Sequence, residues 1–366
     1  MSRYAVIGAG VLGAATAYHL AKTGKNVIVI DQPKLGQATD AAAGVIAPWI
    51  NKRRNKAWYM LAKTGAAYYP SLINELKLIG VENTGYKKVG AIYLQPTMEK
   101  VEQLKTLALS RKMDAPEIGE VKILSATETT DYHPLVEAKM PALYVSGAAQ
   151  VNGRNLRESL LQGAKKFGAT VVYGWAKMID QHTIKADETY YEVEKLIVTA
   201  GAWAKEILQP LGIDVKISSQ KGQILHLQMK NQLTGEFPVL LPANNQYILT
   251  FANSELVIGS TNEDNQHFNI EVTVAGIYEI LHKAIQVAPK LLHATFLEAR
   301  VGFRPHTPQY LPVIGQLPHY PNIYFANGLG ASGLTIGPYF GEQLAKLASN
   351  QLLDIDVSLY SVHNAF

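Results

Sequence analysis

Apolar and polar positions follow two different spacings along this chain. Tyr4 to Ile7 is a short apolar run, and Asn26-Val-Ile-Val-Ile30 is another. Between them apolar residues recur at helical spacing as far as Thr23, and Gly24 ends that run. The pattern predicts strand, helix and strand within thirty-one residues. Helical periodicity returns from Lys56 to Leu78, where Tyr59, Tyr68 and Tyr69 form an aromatic stripe suited to packing. Val89 to Leu94 reads as a strand and Thr97 to Lys112 as a helix. Next come a strand at Ala142 to Val145, a turn from Gly147 to Arg154 and an amphipathic helix from Asn155 to Phe167. Thr170 to Tyr173 is a further strand, and Tyr190 to Thr199 contains one more. From Ser218 to Thr261 the spacing shortens to alternating runs: Gln223 to Gln228, Tyr247 to Phe251 and Leu256 to Ile258. Alternation broken by turn residues predicts an antiparallel sheet, a suitable wall for a small-molecule pocket. Val272 to Ala288 and Pro338 to Ala348 return to helix.

With 366 residues, 48% of them apolar, the chain has material for two or three domains, or for one domain with a large insertion. A net charge of +4 is too mild to suggest nucleic acid, and the one basic cluster is Lys52-Arg53-Arg54-Asn55-Lys56. Most of that cluster reads as a solvated loop, with room for one member to attract an anionic substrate. The absence of cysteine excludes disulfides, thiolate metal sites and a cysteine-tethered cofactor, and suits a cytoplasmic protein. No apolar run is long enough to cross a bilayer, so an integral membrane segment is not expected.

Candidate chemistry begins where the first strand turns into the first helix, at Gly8-Ala-Gly10-Val-Leu-Gly13. Gly8 permits the turn, Gly10 lets the backbone approach a pyrophosphate, and Gly13 lets helix and strand pack. The helix amino end faces the anion. Asp31 at the tip of the second strand can accept both hydroxyls of an adenosine ribose. Nicotinamide and flavin dinucleotides share this unit, so other segments must choose. Gly36 to Pro48 contains Ala41-Ala-Ala-Gly44, small residues that let backbone lie against a flat ligand. Phe325 to Gly337 carries four glycines in ten residues and leads into a helix. Converging N–H groups and a helix amino end there suit the electron-rich edge of a reduced flavin.

Those segments, with Ile197 to Trp203, Gln220-Lys-Gly-Gln223 and Val301-Gly-Phe-Arg-Pro305, resemble the D-amino-acid oxidase family of flavoproteins. Within it the chain is most similar to the glycine oxidase and D-amino-acid dehydrogenase branch. The resemblance covers essentially the whole chain. It implies an α/β fold: an FAD-binding Rossmann-like domain of the glutathione-reductase type, with an interleaved α+β substrate domain built on an antiparallel sheet. The implied division is 1–85, 141–215 and 299–366 for FAD, and 86–140 and 216–298 for substrate. It places Val11 and Leu12 at the pyrophosphate, Asp31 and Gln32 at the adenosine, and the backbone near Lys177 against the adenine. Ala38, Thr39, Ala42, Ala43, Gly44 and Val45 would run along the flavin, with Gly201 nearby. Leu329, Gly330, Ala331, Ser332, Gly333, Leu334 and Thr335 would hold the pyrimidine end of the ring. Gly302 stands where relatives that tether flavin have cysteine, which implies non-covalent FAD.

Tyr247 and Arg304 match the positions that grip the substrate carboxylate. Pro305 stiffens the backbone after Arg304, and a guanidinium can offer a carboxylate two charge-assisted bonds. A structural ion pair of Arg304 with Glu298 is the competing reading, and Arg300 reads as structural. Gln309 replaces an acid common in the family, and Asn262 and Ala331 stand where glycine oxidases carry bulkier or charged groups. Glycine itself is therefore not the expected best substrate. The implied reaction is oxidation of the C–N bond of a small D-amino acid, glycine or N-methylglycine by hydride transfer to flavin N5. No general base is required, and His306 reads as a bystander near Arg304. Dioxygen or an electron carrier would reoxidise the flavin, and a homo-oligomer stays open. The alternatives are a nicotinamide-dependent dehydrogenase and a non-catalytic flavin-binding protein.

Overall fold

The computed structural model describes residues 3–366 except 52, 54, 138, 231–234 and 265–266. Arg3–Ile7 lies at the centre of a six-stranded sheet, paired in parallel with Asn26–Asp31 and with Lys195–Val198. Thr170–Tyr173 extends one side, and Tyr320–Asn327 then Val313–Leu317 extend the other. The central strands are apolar without alternation because helices cover the sheet. Val11–Lys22 packs between Gly153–Lys166 and Gly333–Ala348. Close approach needs small residues: a Cβ at Gly341 would stand 2.7 Å from Ala15 Cβ.

The second sheet has nine strands, in the order Gly36–Gln37, Thr295–His306, Ser218–Gln228, Glu255–Gly259, Tyr247–Thr250, Val239–Pro242, Ala91–Leu94, Ala142–Val145 and Val121–Leu124. It is mostly antiparallel. The pairings of Gly36–Gln37 with Thr295–His306 and of Val239–Pro242 with Ala91–Leu94 are parallel, so the sheet is mixed rather than purely antiparallel. Helix Val274–Ile285 packs Ile280 and Ala284 onto a core that includes Leu225, Ile248 and Ile258.

Several local expectations shift. Residues 142–145 and 299–306 pair within the nine-stranded sheet, not with the nucleotide strands as their place in the sequence suggested. A short apolar run has the same local pattern in either sheet, so pairing decides. The stretch from Tyr190 to Thr199 divides: Thr189–Glu192 closes a separate three-stranded ribbon with Ala176–Met178 and Thr183–Ala186, while Lys195–Val198 joins the parallel sheet. Within the expected turn at 147–154, Ala149–Gln150 pairs with both Val45–Ile46 and Lys87–Lys88. The last helix starts at Gly333 rather than Pro338. A proline inside a helix frees the carbonyl four residues earlier. Here that carbonyl, of Leu334, accepts the buried Tyr69 hydroxyl at 2.5 Å. Tyr69 comes from helix Lys56–Leu78, so the stripe tyrosine braces the start of the last helix.

Candidate active site

A cavity of about 760 Å³ runs between the two sheets. One end is built by the first turn. Gly8 has φ of +92°, and a Cβ at Gly13 would lie 1.9 Å from the Gly8 carbonyl oxygen. Gly13 therefore closes the helix onto the strand and does not itself line the cavity, whereas Gly8, Gly10, Val11 and Leu12 do. The helix that begins there has no side-chain cap and no acid in its first turn. Its positive end is thus left for an anion. Thr39 Oγ1 accepts the Val11 N–H at 2.9 Å, tying the second small-residue segment to this turn.

Asp31 lines the same end. It accepts the Ala9 N–H at 2.9 Å and the Gln37 side-chain amide at 3.2 Å, and burial pushes its carboxyl above the ordinary range. Beyond it a smaller hollow of about 70 Å³ is lined by Gln32, Lys34, Trp175, Ala176 and Trp203. The resemblance placed the backbone near Lys177 at the adenine; the Lys177 side chain is exposed and lines neither space, and its neighbour Ala176 lines the smaller hollow. Lys34 Nζ sits over the rings of Trp175 and Trp203, at 5.3 and 5.6 Å from their centres.

The middle of the cavity is flanked by both glycine-rich segments. Ala38, Thr39, Ala42, Ala43, Gly44 and Val45 line one side. Gly201 and every residue from Leu329 to Thr335 line the other. Gly44 is required: its φ is +94°, and a Cβ would fall 1.8 Å from the Val151 carbonyl oxygen. The two segments join where Thr335 Oγ1 donates to the Val45 carbonyl at 3.3 Å. Trp58 Nε1 donates to Ser332 Oγ at 3.0 Å, and Asn327 Nδ2 to the Gly201 carbonyl at 2.8 Å. Helix Gly333–Ala348 also starts without a side-chain cap or an acid in its first turn.

The far end contains Arg304 and Tyr247. Arg304 Nη1 donates to Gln220 Oε1, the Thr261 carbonyl and Asn262 Oδ1, and Nη2 to Ser260 Oγ at 2.8 Å. All four acceptors are uncharged. Glu298 pairs with Arg300 instead, at 2.5 Å, so the ion pair considered for Arg304 is made by its neighbour. Tyr247 pairs across the sheet with Gly259 and hydrogen-bonds Ser260; burial raises its hydroxyl pKa. Burial likewise lowers Arg304. His306 packs its ring against Gly330 and is held below the ordinary imidazole range by burial, then by Arg304 and Arg53.

Sequence reasoning missed Ser260, which serves Arg304 and Tyr247 together, and Gln95, Leu241 and Gln246 in the same wall. Nothing in their local spacing marks them. Trp58 was also missed, although it lies next to the stripe residue Tyr59. Among the described residues no group of three or more His, Cys, Asp or Glu could hold a metal ion.

An acid for a ribose, an uncapped helix end for phosphates, and two small-residue walls meeting at a second uncapped helix end fit FAD laid along this cavity. Residues 3–347 match the family model for FAD dependent oxidoreductases, DAO. The chain is 48% identical over 365 residues to the uncharacterized oxidoreductase YurR of Bacillus subtilis (strain 168), covering 98% of each chain. The crystal structure of iminodiacetate oxidase from Chelativorans sp. BNC1 superposes with a TM-score of 0.94 at 39% identity, over 98% of both chains. Glycine oxidase of Geobacillus kaustophilus (strain HTA426) is 25% identical over 368 residues, covering 98% of this chain and 96% of that one.

Proposed function

The chain belongs to the FAD-dependent oxidoreductase (DAO) family, and we propose that it oxidises the C–N bond of a small carboxylated amine or amino acid. Family membership displaces the nicotinamide alternative. The observation that carries the reading is Arg304: a half-buried guanidinium in the cavity whose hydrogen-bond partners among the described residues are all neutral. The similarity to an iminodiacetate oxidase and to glycine oxidases supports an amine flanked by carboxylate.

Bound FAD supplies the acceptor for the hydride equivalent that leaves the carbon next to nitrogen. The chain's residues do the rest. Asp31 accepts the ribose hydroxyls, with Gln32 beside it. The uncapped helix end at Val11 and Leu12 faces the pyrophosphate. Residues 38–45 and 329–335 hold the ring system between them, and the helix end at Gly333 stabilises negative charge at its edge. With no cysteine in the chain, and with Gly302 packed 2.8 Å (as a Cβ) from Ala41, FAD is held non-covalently.

Arg304 takes the substrate carboxylate through charge-assisted bonds, and Tyr247 fixes its orientation. The walled pocket excludes water, which favours the neutral amine over the ammonium. A neutral amine can expel hydride from its α-carbon without a general base, and the imine released hydrolyses to a carbonyl acid and an amine.

Anaerobic mixing of the holoenzyme with D-amino acids, glycine, N-methylglycine and iminodiacetate should bleach the flavin with at least one of them. No bleaching with any would end this reading. Readmitting air then distinguishes dioxygen from an electron carrier as reoxidant. Arg304→Leu should raise KM for carboxylated substrates roughly 100-fold or more, the loss expected of a paired guanidinium.

A further inference from the structure

Two arginines without carboxylate partners stand in or beside the lining of the cavity. Arg304 is one. The other is Arg53, whose guanidinium carbon lies 4.9 Å from the ring centre of Trp58. That ring lines the cavity and is fixed on its other side by the bond to Ser332. Arg53 also donates to the Tyr310 carbonyl oxygen, so it is tied to the turn from Thr307 to Tyr310. Among the described residues neither arginine forms an ion pair; the paired arginines are Arg154, Arg157 and Arg300. Burial is the one influence that shifts Arg53, and it weakens the hold on its proton. His306 feels both guanidinium charges, so each arginine lies within electrostatic reach of that ring. The nearby acids lie on the Arg304 side and are engaged: Glu263 with Thr261, Gln223 and Lys221, and Asp264 with Gln220.

A partly dehydrated cation with no counter-ion is costly unless a ligand brings the missing charge. One carboxylate satisfies Arg304 and leaves Arg53 over. We propose that Arg53 is a second anion-recognition group of this site and that the substrate is an amine carrying two carboxylates, one on Arg304 and Tyr247, the other on Arg53 beside Trp58. This rests on the carboxylated-amine reading above. The second carboxylate can be attached through the nitrogen, as in iminodiacetate, or through a side chain, as in D-aspartate.

The test uses the holoenzyme and two inert acids, thiodiacetate with two carboxylates and methylthioacetate with one. Their binding is read from the perturbation of flavin absorbance. The wild type should bind thiodiacetate at least about 10-fold more tightly. Arg53→Gln should weaken thiodiacetate roughly 10- to 100-fold and leave methylthioacetate within about 3-fold. Arg53→Lys, which keeps the charge, should keep part of the preference. Equal affinity for both acids, an equal loss for both in Arg53→Gln, or an Arg53→Lys protein indistinguishable from Arg53→Gln would overturn the assignment. Turnover separates the two attachments: Arg53→Gln should lower kcat/KM for whichever of iminodiacetate and D-aspartate the enzyme prefers, and spare N-methylglycine. A loss for neither counts against the proposal. If no amine bleaches the flavin while the thiodiacetate preference holds, the reaction fails and the second anion site stands.

Discussion

Gly222 and Arg304 occupy one face of adjacent strands, and the guanidinium lies over the glycine. A Cβ at residue 222 would stand 2.5 Å from Nη2 and 2.8 Å from Cζ of Arg304. The pairing of Gly222 with Gly302 and of Gln220 with Arg304 produces this overlap. The glycine is therefore a seat for the arginine. Gly222→Ala should displace the fork by about an ångström and lower kcat/KM for carboxylated substrates roughly 10- to 100-fold, with flavin content unchanged. Steady-state kinetics on the purified holoenzyme check this, and an unaltered kcat/KM would show that the fork is not held there.

Arg300 lies on the same strand four residues before Arg304 and has a different job. It holds Glu298 and donates to the Asp40 carbonyl. Arg300→Gln should leave KM within about 3-fold, while removing a pair whose acid is largely exposed costs at most about 1 kcal/mol in thermal stability. A KM rise matching that of Arg304→Leu would contradict this division of labour.

Gly44 and Gly24 both have positive φ, but only one is enclosed. A Cβ at Gly44 meets the Val151 carbonyl oxygen at 1.8 Å, whereas one at Gly24 meets nothing within 4 Å. Gly44→Ala should yield protein depleted of flavin or insoluble. Gly24→Ala should cost about 1 kcal/mol from backbone conformation alone and retain its flavin. The ratio of flavin to protein after gel filtration separates the two.

His19 is buried against the Tyr68 hydroxyl at 2.8 Å, and burial, then Lys22 and Lys346, pull its pKa down to about 3. The unfolded chain takes up this proton near pH 6.5 and the native chain near 3. Between those values the native state binds fewer protons, so stability falls as pH falls, by up to about 1.4 kcal/mol per unit. His133, pulled to about 4 by burial, acts in the same direction. His19→Gln should flatten the dependence of Tm on pH between 6.5 and 4. A profile parallel to the wild type would refute the assignment.

The first strand, helix and strand were legible because each has its own period and the glycines between them have a local reason. The helix Lys56–Leu78 was read to the residue, since twenty-three residues of amphipathic spacing admit one interpretation. The two glycine-rich segments could be read as ligand-facing, but not the Thr335–Val45 bond that joins them across 290 positions. The same distance in sequence hid Ser260 and Trp58, and it hid the true neighbours of residues 142–145 and 299–306. Pairing between remote strands leaves no trace in the periodicity of either one. Arg53 could be seen only as one of a basic cluster, of which Lys52 and Arg54 lie outside the described residues. Its contact with Trp58 is what sets it apart.

Strand Asn26–Asp31 ends in the acid proposed to hold the ribose, and strand Gly36–Gln37 is hydrogen-bonded to the strand that carries Arg304. Residues 32–35 are all that separate them, a tether reaching at most roughly 18 Å from Asp31 to Gly36. The two sheets are thus stitched together beside Asp31 and cannot swing apart like a jaw around that point.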